Sequence, residues 1–169
     1  MRFLIIFIFL ITNVVAEELP GIKNIVIHKA PKTYDNVIFL DKKDQKININ
    51  EYRGNLLVLN FWATWCEPCK EEMPSLDKLQ ANPELDKIKI FAINIGKENS
   101  DKVNKFFKDF NIKNFEPYFD PPTTLAKMFS LRGVPTSILI NKEGQEFARI
   151  IGSIDFEDKN FVSWIKKYN

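Results

Sequence analysis

The chain contains two cysteines, Cys66 and Cys69, which lie within the stretch FWATWCEPCKEEMP at residues 61–74. Two thiols at this spacing can bind a metal ion, form a structural disulfide, or exchange electrons with other thiols. A bridge between them would close a very short ring and barely restrict the unfolded chain, which argues against a structural disulfide. A structural zinc site needs about four ligands, and the lone histidine, His28, is expected to be solvated. A redox pair is therefore favoured, and a copper or zinc carrier remains an alternative.

The segments around the cysteines predict how the two thiols are positioned. The run LLVLNFW at Leu56–Trp62 is apolar almost throughout, as in a strand that is buried on both faces. A helix is predicted to follow over Cys66–Gln80, with a kink at Pro74. The amino-terminal end of a helix favours a thiolate, so Cys66 is predicted to be the attacking cysteine. Cys69, one turn later, is predicted to resolve the mixed disulfide.

The rest of the chain predicts one α/β sandwich, with elements in the order βαβ, helix, ββα after an early hairpin. Helices are expected where apolar residues recur at i, i+3, i+4 and i+7, and strands where short apolar runs are bounded by turn residues. The further predicted strands are Val37–Leu40, Lys46–Ile49, Ile88–Ile95, Thr136–Ile140 and Glu146–Ile151, and Phe115–Phe119 is predicted to be a short extended segment. The further predicted helices are one capped by Ser100, one over Thr123–Phe129, and one that carries Phe161, Trp164, Ile165 and Tyr168.

Composition and the first residues indicate where the protein works. The formal net charge is +2 over 169 residues and no basic block occurs, so no nucleic-acid surface is predicted. Residues 1–16 have a positive start, an apolar run and a cleavage site at Val14-Val15-Ala16, the pattern of a secretory signal peptide. An uncleaved membrane anchor is the alternative. Residues 17–32 are expected to form an extended lead-in, and residues 33–169 the domain.

The WCEPC motif after an apolar strand, followed by GVPTSILINKEG at residues 133–144, resembles the thioredoxin fold. Residues 33–168 are most similar to the TlpA/ResA branch of the redoxin superfamily, which consists of exported thiol–disulfide oxidoreductases. The resemblance implies a central mixed sheet flanked by helices, with an N-terminal β-hairpin and an extra central helix. Peroxiredoxins fit less well, because their threonine lies three residues before the reactive cysteine, whereas Thr64 lies two before Cys66.

The same resemblance implies roles for residues beyond the cysteines. A cis peptide bond is expected before Pro135, which would face the cysteines and bind the substrate strand together with Val134. Trp65 would cover the approach to Cys66. Glu72, three residues after Cys69, is expected to handle protons.

Two residues between the cysteines are expected to tune them. Pro68 suits the first turn of a helix, where the N–H that proline lacks would be unpaired. A negative charge at Glu67 opposes thiolate formation at Cys66 and should lower the oxidising power of the cysteine pair. Glu67, Glu71 and Glu72 could instead simply complement the helix N-terminus in solvent.

The resemblance thus implies a periplasmic enzyme that reduces disulfides in partner proteins with no cofactor other than the Cys66–Cys69 disulfide. The implied substrates are apocytochrome c or copper-site proteins of cytochrome oxidase assembly, and the implied electron donor is a membrane thiol relay of the DsbD/CcdA type. A thiol peroxidase of the redoxin type, or a copper carrier, is the alternative.

Overall fold

A computed structural model describes residues 21–169, and the predicted signal peptide lies outside the described residues. The described chain forms an eight-stranded mixed sheet flanked by four α-helices. The strands are β1 (Ile25–Lys32), β2 (Ile38–Leu40), β3 (Lys46–Asn48), β4 (Leu56–Trp62), β5 (Ile88–Asn94), β6 (Pro117–Phe119), β7 (Thr136–Ile140) and β8 (Glu146–Ile151). The helices are α1 (Glu67–Gln80), α2 (Ser100–Asp109), α3 (Thr124–Met128) and α4 (Lys159–Ile165), and 3₁₀ turns span Ile49–Tyr52 and Lys166–Tyr168.

The strands are arranged in the order β1-β8-β7-β4-β5-β6-β2-β3. The pairs β4–β5 and β5–β6 are parallel, whereas β7 runs antiparallel to both β4 and β8. The early hairpin β2–β3 joins the sheet through the pairing of Leu40 with Phe119. The predicted α/β class, with parallel strands early and an antiparallel hairpin late, is confirmed.

Strand β4 is central because both of its faces are buried. Alternate side chains point to opposite faces of a strand, and Val58 and Trp62 pack under α1, α2 and α4. Leu59 and Phe61 pack on the other face, which α3 covers. Asn60 falls between Val58 and Trp62 and so faces α1, which places a buried amide beneath the cysteine helix.

The bounds of β4, β7 and β8 match the prediction, and the bounds of the other predicted strands and of α1 and α3 differ by one or two residues. Residues 25–32 fall in the predicted extended lead-in but form β1, which pairs antiparallel with β8 at the sheet edge, so the sheet begins before the predicted domain start at residue 33. His28 lies in β1, and its side chain is 11% exposed and bonded to Glu146. The prediction that His28 is solvated is therefore wrong. The cap of α2 is Asn99, one residue before the predicted Ser100, because the Asn99 side chain accepts the Lys102 N–H.

Helix α1 continues through Pro74, which leaves one backbone carbonyl of the helix without its usual partner. Within residues 21–169, no helix is both long and apolar enough to cross a membrane.

Candidate active site

The two cysteines lie at the start of α1 and differ in exposure. Cys66 is the N-cap residue, and its Sγ accepts the backbone N–H of Cys69 at 3.3 Å. A disulfide bond joins the two sulfur atoms, and the Cα atoms are 5.3 Å apart. Cys66 is 5% exposed whereas Cys69 is 0% exposed. A substrate can therefore reach Cys66 first, and Cys69 lies beneath it.

Pro135 lies at the same end of the sheet as the cysteines. The Val134–Pro135 peptide bond is cis, as the resemblance implies. The register pairs Phe61 with Thr136, so the residues just before β7 lie beside the end of β4, from which the cysteine loop continues. The Pro135 carbonyl accepts the N–H of Gly152, which joins this loop to the end of β8.

Trp65 and Val134, at this end of the sheet, differ in exposure. Trp65 is 64% exposed, so its ring lies on the surface next to Cys66. Val134 is partly buried and packs against both core clusters. Phe61 and Trp62 are fully buried, which confirms their assignment to the core.

Glu72 is buried on α1, one helical turn after Cys69. Its Oε1 accepts an N–H of Asn60 at 2.8 Å, and the second N–H of that amide is donated to the Ser137 hydroxyl at 2.9 Å. Burial raises the pKa of Glu72 to about 8, although the hydrogen bond from Asn60 and the nearby backbone of Ile154 oppose the shift. Within residues 21–169, the Oε2 of Glu72 has no hydrogen-bond partner. The carboxyl group can thus hold a proton near neutral pH, one helical turn from Cys69.

A groove connects Glu72 with the surface. The groove has a volume of about 470 Å³, and Ser153, Ile154 and Asp155 line it together with Glu72. Glu72 therefore lies at the wall of a groove that opens to solvent along the side of α1.

Glu67 and Pro68 begin α1. The Glu67 side chain is 73% exposed and forms an ion pair with Lys70 at 2.7 Å. Solvent and the lysine both screen its charge, so its effect on Cys66 is weaker than that of a buried group would be. Glu71 is exposed, which agrees with a role as a solvated helix-end charge.

Glu98 holds the loop that carries the cysteines, a role that no motif in the sequence predicts. Its carboxylate accepts the Thr64 N–H at 2.9 Å and the Thr64 hydroxyl, the Asn94 amide at 2.9 Å and the Lys102 ammonium at 2.7 Å. Burial alone would raise its pKa, but these bonds outweigh it and lower the pKa of Glu98 to about 2. Thr64 and Glu98 are 34 residues apart, and no local pattern links them.

Among residues 21–169, no three His, Cys, Asp or Glu side chains are grouped so as to hold a metal ion. The chemistry that the site offers is that of the Cys66–Cys69 disulfide itself.

Comparison with known proteins places this geometry in a family. The model of the AhpC/TSA family matches residues 26–145. The chain is 33% identical over 121 residues to a thiol-disulfide oxidoreductase ResA of Bacillus cereus, covering 72% of this chain and 69% of that protein. It is 30% identical to ResA of Bacillus subtilis, covering 70% of this chain and 65% of that protein.

Solved structures share the fold. StoA from Bacillus subtilis superposes with a TM-score of 0.62 at 28% identity, covering 76% of this chain and 96% of that chain. A putative thiol:disulfide interchange protein DsbE from Chlorobium tepidum superposes with a TM-score of 0.71 at 22% identity, covering 82% and 96%. With its Cys66–Cys69 pair at the start of α1, the chain belongs to the AhpC/TSA family and is a thioredoxin-like, ResA-type thiol–disulfide oxidoreductase.

Proposed function

We propose that this protein is an exported reductant of disulfides in partner polypeptides. The observation that carries the proposal is the unequal burial of the two sulfur-bearing residues at the start of α1. Cys66 caps the helix, where the helix dipole stabilises a thiolate, and it retains some exposure. Cys69 is fully buried and can react only with a sulfur already attached to Cys66.

The reaction proceeds in two exchanges. The Cys66 thiolate attacks one sulfur of the substrate disulfide, which forms a mixed disulfide and releases a substrate thiolate. Cys69, as a thiolate, then attacks the Sγ of Cys66, which restores the Cys66–Cys69 disulfide and releases the second substrate thiolate. The substrate gains two electrons and two protons, and the protein becomes oxidised.

Glu72 can act as the base for the second exchange. Cys69 must lose its proton before it attacks, and Glu72 is the buried carboxylate one turn further along α1. With a pKa of about 8, Glu72 can accept and return a proton near neutral pH. The groove beside α1 then exchanges that proton with solvent.

The export part of the proposal rests on the signal-peptide pattern of residues 1–16. A solved structure with the same fold is described as a secreted thiol-disulfide isomerase from Corynebacterium glutamicum, with a TM-score of 0.68. We place the protein in the periplasm, with an uncleaved anchor as the alternative.

The proposed substrates are polypeptides with cysteine pairs, of the apocytochrome c or copper-site class. Because each turnover leaves the protein oxidised, it needs an electron donor on the same side of the membrane. A membrane thiol relay of the DsbD/CcdA type would supply the two electrons.

Trapping tests this proposal. In a Cys69→Ser variant, the mixed disulfide on Cys66 cannot be resolved and should accumulate, so partner proteins can be identified from whole cells. The matched Cys66→Ser variant should trap nothing and reduce nothing. Trapping by Cys66→Ser but not by Cys69→Ser would reverse the assignment of the two cysteines. Trapped partners that are all cytoplasmic would contradict export.

A further inference from the structure

A second charged centre lies on the face of the sheet opposite to α1, and the proposed reaction does not use it. Glu146 of β8 is 0% exposed, and Arg149 holds its carboxylate through Nε at 2.7 Å and a second nitrogen at 2.9 Å. His28 and the Tyr34 hydroxyl each lie 2.6 Å from the same carboxylate. Burial would raise the pKa of Glu146, but the bonds from Arg149, His28 and Tyr34 keep it below its usual value. Glu146 thus fixes Arg149 and His28 in place, and its own charge is compensated.

An open groove of about 420 Å³ lies above this centre and borders the Pro135 loop. One wall is β1, through Val26, His28 and Lys32, and the other is β8, through Arg149 and Ile151. Residues 130–132 and Thr136 close the end next to Pro135. We call this feature the cationic groove.

The charges of the cationic groove all have one sign. Its lining includes Lys32, Arg132 and Arg149, and no Asp or Glu belongs to the lining; because Arg149 is paired with Glu146 beneath the groove, Lys32 and Arg132 supply its uncompensated charge. Lys32 and Arg132 are exposed, and neither forms an ion pair with any residue of the described range 21–169. The groove beside Glu72 and a third groove along α4 contain acidic side chains as well as lysines. A surface that concentrates cations without carboxylates attracts a negatively charged partner.

Exposed apolar side chains accompany these cations. Val26 is 45% exposed and Ile151 is 48% exposed, and both line the cationic groove. The other large apolar side chain that is exposed in residues 21–169 is Trp65, next to Cys66. Exposed apolar groups that cluster with charges at one end of a fold are typical of a binding surface.

We propose that the cationic groove binds a segment of the substrate polypeptide that carries acidic and apolar residues and flanks the disulfide to be reduced. A chain that crosses the Pro135 loop on its way to Cys66 enters the groove at Thr136, the next residue after Pro135. The acidic side chains would pair with Lys32 and Arg132, and the apolar ones would contact Val26 and Ile151. This inference rests on the proposed function, because it requires a polypeptide substrate.

Reduction of two synthetic peptides tests the proposal. Both contain the same disulfide-bonded cysteine pair, and the flanks on either side are Glu and Leu in one peptide and Lys and Leu in the other. The chemically reduced protein should reduce the acidic peptide about tenfold faster at low ionic strength, because two ion pairs form in one complex and two repulsions arise in the other. Addition of about 0.5 M salt should remove most of this preference.

Charge reversal in the groove should reverse the preference. Lys32→Glu and Arg132→Glu should each slow reduction of the acidic peptide about threefold and speed that of the basic peptide. Lys43→Glu is the matched control, because it makes the same charge change in an exposed turn between β2 and β3, at the opposite edge of the sheet. Lys43→Glu should keep the wild-type preference.

Three results would overturn the groove as a docking site. They are equal rates for the two peptides with the wild-type protein, a preference unchanged in Lys32→Glu and Arg132→Glu, or the same loss in Lys43→Glu. A small aromatic disulfide that has no flanks, such as Ellman's reagent, shows that each variant still has reactive thiols. Reduction of that reagent but of neither peptide would instead contradict the proposed function, and the groove proposal with it.

Discussion

At the scale of single residues, Glu72 has the environment least expected of a carboxyl group. Its side chain is almost completely buried, and one of its oxygens lacks a partner within residues 21–169. The sequence places it three residues after Cys69, but the same spacing also fits a solvated charge at the start of a helix. Burial depends on Asn60 and Ser137, which lie on two other strands, so a local pattern could not decide between these interpretations.

Glu72 should make stability depend on pH. Its folded pKa of about 8 lies above the usual value of about 4.5, so the folded protein binds the proton more tightly than the unfolded chain does. The free energy of unfolding should therefore fall as pH rises from about 4.5 to about 8, by on the order of 3 kcal/mol. Glu72→Gln should remove this decrease and make the protein more stable than the wild type at pH 8. Urea unfolding of the oxidised proteins at pH 5 and pH 8 measures the difference.

Glu71→Gln is the control for that experiment, because Glu71 is an exposed neighbour on the same helix. It should leave the pH dependence of unfolding as it is in the wild type. Equal pH dependence in Glu72→Gln and the wild type would show that Glu72 titrates normally.

Glu72 should also shift the titration of the cysteines. An ionised carboxylate one helical turn from Cys69 opposes formation of a thiolate, and two such groups titrate together. Glu72→Gln should therefore lower the pKa values of the cysteines in the reduced protein and change the pH profile of disulfide reduction. Thiolate absorbance measured against pH reports this directly. Superimposable curves for the two proteins would leave Glu72 without a catalytic role.

At the scale of elements, the loop between β4 and α1 is held by Glu98, which belongs to the segment between β5 and α2. The Glu98 side chain is 4% exposed and bonds Thr64, two residues before Cys66. Because β4 and β5 are parallel neighbours, their carboxyl ends meet at one edge of the sheet, and the two loops come together there. The sequence predicts both strands, but it does not show which side chains of their loops bond.

Glu98 should stabilise the protein at neutral pH and lose that effect in acid. Its folded pKa of about 2 lies below the usual value of about 4.5, so the stabilisation is present above pH 4.5 and disappears as pH falls to about 2. Glu98→Gln should lower the free energy of unfolding by about 1–2 kcal/mol at pH 7. The effect is no larger because Lys102 is largely in solvent, which screens its ion pair with Glu98. At pH 2.5 the variant and the wild type should differ much less. Urea unfolding at the two pH values gives both numbers.

A matched control for Glu98→Gln is Glu116→Gln, because Glu116 forms an ion pair with Lys42 in which both side chains are about half exposed. Loss of this ion pair in Glu116→Gln should change the free energy of unfolding by less than about 0.5 kcal/mol. A Glu98→Gln variant that is as stable as Glu116→Gln at pH 7 would show that the loop does not depend on Glu98.

Strand β1 shows why one element could not be predicted. Its sequence IVIHKAPK begins with apolar residues but continues with His, Lys and Pro, and five of its eight residues, Val26 and Lys29–Lys32, are exposed. Such a segment forms a strand only because β8 offers it an edge to pair with. The bond between His28 and Glu146 spans 118 residues, so the burial of His28 follows from that pairing and not from its own neighbourhood.

At the scale of the whole molecule, the fold could be predicted because local sequence patterns identify its central elements. The apolar run of β4, the cysteine motif after it and the later Val134-Pro135-Thr136 segment specify a thioredoxin-like sheet with both cysteines at one end. What the sequence does not reveal are long-range polar contacts, namely those of Glu72, Glu98 and Glu146. Glu72 and Glu98 lie near the cysteines and Glu146 lies at the other end of β8, so each contact joins segments that are distant in the sequence, and the fold is more predictable than these contacts.

The charges around the pair support electron donation by this protein. An oxidising pair is one whose reduced form is stabilised, chiefly through a stable thiolate. Here no positive residue lies between the cysteines, Glu67 is negative, and Glu72 is a buried carboxyl group one helical turn after Cys69. The charge of Glu67, although screened, and that of ionised Glu72 both oppose a thiolate, and no cation between the cysteines offsets them, which supports the proposal that the dithiol donates electrons.

The reduction potential of the Cys66–Cys69 pair tests this claim most directly. Equilibration of the protein with glutathione or dithiothreitol buffers, followed by alkylation of the free cysteines, gives the fraction reduced at each buffer potential. We predict a value near that of thioredoxin, about −270 mV, rather than that of a strong oxidant such as DsbA, about −120 mV. A value above about −180 mV would mean that the protein is an oxidant or an isomerase, and would contradict its assignment as a reductant.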